Sequence, residues 1–137
     1  MKRESMGQRV LAIVALLFGV ATIAAGGRVL LGADPGYLVF RPLLLYNTTM
    51  GLAYLAAGLL LWTSLKRGRR AAATIFGLNL AVLVGIVAVY RGGGGVAPDS
   101  LRAMTVRTVI WLALFLGAAW LTRDSAEDGP PPRRPET

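Results

Sequence analysis

The sequence predicts an all-α integral membrane protein that folds as a bundle of four helices. Of its 137 residues, 55% are hydrophobic, and the mean hydropathy is +0.57. Its charged residues are gathered into short clusters between long apolar runs. A helix needs roughly 20 apolar residues to cross the hydrocarbon core. Because a crossing segment must satisfy its own backbone groups there, each run is expected to be helical.

Four apolar runs fit this length, and together they form a single domain over residues 1–122. The predicted spans cover about residues 10–32, 42–65, 71–90 and 101–122. The first span follows a basic lead and resembles a signal peptide, but its apolar run is long for that role. The residues after the fourth span, 123–137, are acidic, then proline-rich, then basic, which predicts a disordered tail.

The connections between the spans have turn chemistry. The sequence ADPGY, residues 33–37, is typical of a turn, and Pro42 suits the first position of the second helix. We expect the basic run KRGRR, residues 66–70, to form a tight turn before the third helix. The glycine-rich residues 92–100 read as a flexible loop, with Asp99 or Ser100 capping the fourth helix.

Basic residues predict the orientation of the bundle. They precede the first span, fill residues 66–70 and follow the fourth span, whereas the other two connections contain arginines diluted by Asp34 and Asp99. Cytoplasmic segments carry the excess of lysine and arginine. Both termini and residues 66–70 are therefore predicted to be cytoplasmic.

Small residues predict how the helices pack, because lipid leaves only close van der Waals contact to drive their association. Each span has such a row on one face. The clearest is Gly77, Ala81 and Gly85 in the third span, and Gly51 and Gly58 share a face of the second. These rows suit a compact four-helix bundle, and they suit a homo-oligomer equally well.

The composition limits the chemistry. The chain has no Cys and no His, which removes thiol nucleophiles, disulfides, histidine-ligated haem and the usual zinc sites. No acidic residue falls inside a span. We therefore predict no catalytic residue and no metal site. The net charge of +8 is attributed to the cytoplasmic flanks and not to nucleic-acid binding.

Polar residues inside the spans are costly and therefore informative. Asn47 and Arg107 are each expected to lie roughly 7–8 Å deep from the outer face. Together with Thr48 and Arg28 they predict an outward-facing polar pocket, with Asp34 and Asp99 as the available counter-ions. Such a cationic layer suits an anionic head group, a carboxylate or a quinone ring. The alternative is that Arg28 extends to the interface and Thr48 bonds to its own helix.

Asn79 stands apart from that layer, near the middle of the third span. Its side chain is predicted to point away from the face of Gly77 and Gly85. A hydrogen bond between helices is its expected role.

The central hairpin, GLAYLAAGLLLWTSLKRGRRAAATIFGLNLAVLVGIVAVY, resembles that of the DoxX-like family of small four-helix bacterial membrane proteins. The flanking TIAAGGRVLLG and LRAMTVRTVIWLALF are similar to the other helices of an uncharacterised branch of that group. The resemblance implies an inner-membrane bundle that partners redox enzymes or takes part in quinone chemistry. The family often has an acid near the position of Tyr54, so no catalytic residue is carried over.

These observations predict a non-catalytic accessory or small-lipophile-binding subunit that contacts membrane lipid. The alternatives are a quinone-linked oxidoreductase subunit, with a quinone and a redox-enzyme partner, and a small transporter or channel. A transporter or channel would need a continuous polar path to the cytoplasm.

Overall fold

The computed structural model describes residues 3–36, 40–127 and 135, and the helices account for most of them. Helix α1 covers Arg3–Leu30, α2 covers Arg41–Thr63, α3 covers Leu65–Arg91 and α4 covers Pro98–Glu127. Within these described ranges the fold is all-helical. Helix α4 continues past the predicted span, and the rest of the predicted tail lies outside the described residues, apart from Pro135.

The helices are long enough and apolar enough to cross a membrane. The qualifying segments are Met6–Leu30, Arg41–Thr63, Leu65–Arg91 and Pro98–Arg123. Large apolar side chains are exposed on all four helices, whereas many buried positions are alanines. In water this pattern would leave extensive apolar surface unsatisfied. It is the arrangement expected where acyl chains surround the protein and small residues let helices approach.

Each helix packs against the next one along the chain, and α1 also contacts α4. We name the two ends of the bundle by their connections. The loop end contains the connections from α1 to α2 and from α3 to α4, and the terminal end contains the start of α1, the turn at Ser64 and the end of α4. The largest contacts are between α1 and α2 and between α3 and α4, and the contact between α1 and α4 is smaller than that between α2 and α3.

The turn from α2 to α3 is shorter than the sequence predicts. It consists of Ser64 alone, whose N–H donates to Leu60 O at 2.7 Å while its hydroxyl accepts from the Arg67 N–H at 3.5 Å. Residues 66–70 are therefore the start of α3 and not a separate turn. Gly68 permits this, because a Cβ there would lie 2.6 Å from Leu61 Cα.

Helix α4 also begins earlier than predicted, at Pro98, so Asp99 and Ser100 lie in its first turn and do not precede it. The N–H of Ser100 donates to Ala97 O. Proline at a helix start costs no hydrogen bond, because the first N–H groups have no partner within the helix.

The α1–α2 interface is closed by glycines. A Cβ at Gly51 would lie 2.5 Å from Ile23 Cγ1, and one at Gly58 would lie 2.7 Å from Leu16 Cγ. Gly26 of α1 packs in the same way against the side chain of Thr48. The two backbones therefore approach as closely as the small-residue rows of the first two spans predict.

The small-residue row of α3 faces outward, which differs from its predicted role as a packing seam. A Cβ at Gly77 or Gly85 would meet no atom within 4 Å, and Ala81 is exposed. The opposite face of α3 turns inward instead, where Asn79 accepts hydrogen bonds from α2. Contact through the outward row between copies of the chain stays a prediction.

Two clusters form the core. The larger one spans the middle and the terminal half of the bundle and centres on Tyr54 and Trp111. The smaller one joins α2, α3, α4 and the loop before α4, through Leu43, Ile86, Val96 and Met104. The smaller cluster includes no residue of α1, so at the loop end three helices pack together without the first.

Candidate functional site

A cavity of about 200 Å³ lies between α1, α2 and α4 at the loop end. Most of its wall is apolar, including Ala25, Val29 and Leu43, and it reaches Pro35 in the first loop. Its polar lining comes from Thr22, Asn47, Ser100 and Arg107. Such a mixture of apolar wall and few polar groups is typical of a ligand site.

Arg107 brings the only charged side chain to this cavity wall within the described part of the chain. Its Nε is buried and has no hydrogen-bond partner among the described residues. The two acids predicted as counter-ions are engaged elsewhere. Asp99 lies 3.9 Å from Arg102 in an exposed pair, and Asp34 Oδ1 accepts from the Gly36 N–H at 2.8 Å.

Asn47 contributes an acceptor to the same cavity. Its Oδ1 is buried and also lacks a partner among the described residues. Asn47 and Tyr54 are seven residues apart on α2, which is two turns and places them on one face. Because Tyr54 is fully buried in the core, that face is the one turned into the bundle. Arg107 and Asn47 therefore both line the cavity, and each has one buried polar atom that no other described residue satisfies.

The structure places the other two predicted pocket residues elsewhere. Thr48 packs against Gly26 in the α1–α2 interface, and its hydroxyl donates to Leu44 O at 2.8 Å. Arg28 is exposed and does not line the cavity. Thr48 therefore closes the first helix pair, and of the four residues named together only Asn47 and Arg107 meet at one cavity.

A second, shallower cavity of about 320 Å³ adjoins the first beneath the loop from α1 to α2. Val29, Pro35 and Leu44 line both cavities, so the two are neighbours. Arg41 and Asp34 line the second one. A second arginine therefore lies beside the neighbouring cavity.

Asn79 lies in a polar layer between α2, α3 and α4. Its Oδ1 accepts from the Tyr46 hydroxyl at 2.9 Å and is 3.3 Å from the Tyr54 hydroxyl. The Tyr54 ring packs against Trp111, with centroids 4.8 Å apart. Arg107, which lines the cavity, lies one turn before Trp111 on the same face of α4. The layer therefore joins the cavity to the centre of the bundle.

This layer contains two more buried polar atoms without partners among the described residues, Asn79 Nδ2 and Trp111 Nε1. Sequence reasoning did not single out Tyr46, Tyr54 or Trp111 as part of the polar layer. Spacing could have indicated Trp111, because it follows Arg107 by four residues and so shares its helix face. Nothing in the sequence alone indicates that two tyrosines would converge on one asparagine oxygen.

The arrangement is suited to binding. Its polar groups are N–H donors, hydroxyls and an amide oxygen, in a mainly apolar wall, and no cluster of three metal-ligating side chains occurs among the described residues. The fold and the site define a four-helix bundle with membrane-crossing dimensions and an internal polar site between α1, α2 and α4. No family model, no curated protein and no solved structure matches the chain. Membership of the DoxX-like family thus stays a prediction.

Proposed function

We propose that this chain is a non-catalytic membrane protein that binds a small lipophilic molecule through a polar head held between α1, α2 and α4. The head occupies the 200 Å³ cavity and contacts Arg107 and Asn47. The remainder of the ligand lies against the apolar surface of the bundle.

The observation that carries this proposal is the pair of unpartnered polar atoms at one cavity, Arg107 Nε and Asn47 Oδ1. A buried polar group without a partner costs about 1–3 kcal/mol. An arginine within a membrane helix adds to that cost. A ligand that accepts from Arg107 offsets both costs, which gives a reason for these residues to stand in otherwise apolar helices.

We place the protein in a bacterial inner membrane with its terminal end in the cytoplasm. The support is the basic cluster at that end, formed by Arg9, Lys66, Arg67, Arg69, Arg70 and Arg123. Segments that carry an excess of such residues stay in the cytoplasm. In this orientation the cavity opens toward the outer leaflet. The DoxX-like resemblance supports an accessory role beside a redox enzyme.

The transporter alternative is not favoured by the interior. Among the described residues the buried polar side chains are Thr22, Asn79, Ser100 and Thr108. All four lie in the loop half or at the middle of the bundle. The core of the terminal half is made of apolar residues such as Ala12, Leu61 and Ala118. A polar path therefore reaches the middle of the bundle and does not continue.

The test is to purify the protein in a mild detergent and to identify retained small molecules and partner proteins by native mass spectrometry and extraction. We expect a bound lipophile that is lost in Arg107→Leu. The matched control is Arg102→Leu, on the same helix but exposed and outside the cavity.

Equal retention by wild type and Arg107→Leu, with partner assembly also unchanged, would overturn the proposal. A retained quinone that depends on Arg107 would instead support the quinone-linked oxidoreductase subunit, with a partner supplying the redox centre.

A further inference from the structure

We infer that the ligand is an anionic amphiphile, which reaches Arg107 sideways from the surrounding leaflet through an opening between α1 and α4. This inference rests on the proposed function and specifies both the chemistry of the ligand and its route.

Arg107 gives the cavity wall its unpartnered hydrogen-bond donor. Its Nε is buried and lacks an acceptor among the described residues, and a guanidinium has donors only. Trp111 Nε1 and Asn79 Nδ2 also lack acceptors, but these two residues lie deeper in the bundle and do not line the cavity. One buried acceptor, Asn47 Oδ1, lacks a donor. The ligand that complements this wall must therefore offer acceptors to Arg107.

The charge of Arg107 indicates an anionic ligand. Arg107 carries a full positive charge at a wall whose other described lining residues are neutral. Asp34 and Asp99 make contacts of their own and do not pair with it. A neutral carbonyl would satisfy a donor and leave this charge uncompensated, whereas a phosphate or carboxylate would satisfy both. Charge-assisted hydrogen bonds to arginine are also the stronger kind.

The volume beside Arg107 suits a head group. It is about 200 Å³, whereas sites that enclose a whole small-molecule ligand occupy about 300–1,000 Å³. This part of the space fits a phosphate with a short hydroxyl-bearing substituent. A hydroxyl of that substituent would donate to Asn47 Oδ1, and an acyl chain would extend beyond these 200 Å³.

The α1–α4 interface is closed at one end and open at the other, which indicates the ligand's route. At the terminal end it is closed, because Gly7 packs against Leu121 and Gly117 packs against Leu11. At the loop end the cavity separates the two helices. Ala25 of α1 and Ala103 of α4 line this cavity and are both exposed. The cavity thus opens sideways between small side chains, where a membrane would supply the acyl chain.

The experiment uses Trp111 as the reporter. The chain has three tryptophans, and Trp62 and Trp120 are exposed, so replacing both by phenylalanine leaves the buried one. Quenching of Trp111 fluorescence is then measured in detergent with two lysolipids that carry the same brominated chain. One has an anionic phosphoglycerol head, and the other has a zwitterionic phosphocholine head.

We expect saturable quenching by both lysolipids, at concentrations about ten- to hundredfold lower for the anionic one, because the choline ammonium would place a second positive charge near Arg107. Arg107→Leu should remove this preference. Inorganic phosphate should neither change the fluorescence nor compete. Ala25→Phe should weaken binding, and its matched control is Ala24→Phe, which is exposed on the same helix but does not line the cavity.

The outcomes separate the two proposals. Equal quenching by the two head groups, lost in Arg107→Leu, would leave the binding function standing and overturn the anionic ligand. Competition by inorganic phosphate would overturn the amphiphile in favour of a free anion. An unchanged affinity in Ala25→Phe would overturn the lateral route. The absence of saturable quenching by either lysolipid would overturn both the inference and the proposed function.

Discussion

Helix α1 has two neighbours, and it meets them in opposite ways. Against α2 it is closed along much of its length, with Gly26, Gly51 and Gly58 each leaving no room for a side chain. Against α4 it is closed only at the terminal end, and the loop end opens into a cavity with unpartnered polar atoms. The comparison shows that one helix can serve as a packing partner on one side and as the wall of a site on the other.

The opening is tolerated because α2, α3 and α4 hold together without α1 at that end. Leu43, Ile86, Val96 and Met104 form an apolar cluster there, and the Asn79 oxygen links α3 to two tyrosines of α2. The cavity therefore does not require the bundle to loosen.

Gly58→Leu should break the closed interface. A Cβ at this position would lie 2.7 Å from Leu16 Cγ and 3.1 Å from the Leu16 backbone nitrogen, so the helices must move apart. We expect the free energy of unfolding to fall by about 3 kcal/mol, the upper part of the range for overpacking. The measurement is unfolding in mixed micelles, followed by circular dichroism.

Gly77→Leu is the matched control for that change, because nothing lies within 4 Å of a Cβ there. Its effect should stay within about 0.5 kcal/mol. Equal losses from the two substitutions would mean that the outward row of α3 packs as tightly as the α1–α2 interface, and the comparison would fail.

Arg107→Leu, at the open α1–α4 interface, should change the free energy of unfolding in the opposite direction to Gly58→Leu. Delipidated protein should gain about 1–3 kcal/mol in its free energy of unfolding, because a buried donor without a partner is removed. Thermal unfolding of the delipidated protein measures this gain. Arg102→Leu, which removes only an exposed pair, should change stability by less than about 1 kcal/mol.

A gain in stability together with loss of the ligand would show that Arg107 is retained for binding and not for folding. A loss of stability would contradict the assignment of Arg107 to ligand binding, since it would mean that Arg107 already has a partner within the bundle.

Asn79→Leu should weaken the side of the bundle that lies away from α1. It removes the acceptor of two tyrosine hydroxyls, and hydrogen bonds between membrane helices contribute about 0.6 kcal/mol on average and up to about 1.7 kcal/mol each. We expect a loss of about 1–2 kcal/mol in the unfolding measurement. Tyr46→Phe removes one of these bonds and should cost about half as much. Wild-type stability in Asn79→Leu would refute a structural role for these bonds.

Gly117→Ala should have the smallest effect, although it lies where α1 and α4 do touch. The added Cβ would lie 3.2 Å from Leu11 Cδ2, the end of a side chain that can rotate away. The change in unfolding free energy should stay below about 1 kcal/mol. A loss as large as that of Gly58→Leu would show that the terminal end of this interface is as rigid as the α1–α2 interface.

The same sequence signal had two outcomes in this chain, which shows where sequence reasoning stops. Small residues spaced four or seven apart occur on the second span and on the third. Gly51 and Gly58 pack against α1, whereas Gly77 and Gly85 face outward. Spacing shows that a face can be approached closely. It does not show which helix approaches it, because that depends on all four helices together.

Two neighbouring residues of α2 also face different parts of the structure. Asn47 and Thr48 follow one another and were predicted to share a pocket, but one step along a helix turns the side chain by about 100°. That rotation places Asn47 at the cavity and Thr48 in the α1–α2 interface. Arg28 is likewise at the right depth, but on an exposed face.

The apolar runs are enough to establish four long helices, because a run long enough to cross a membrane is expected to satisfy its own backbone groups as a helix. The sequence also indicated the unusual polar positions, since each is costly within such a run. Which of these residues come together depends on the tertiary structure. Tyr46 and Tyr54 converge on Asn79, Asn47 and Arg107 line one cavity, and α1 is open on one side only. All three arrangements depend on how helices distant in sequence are rotated against one another.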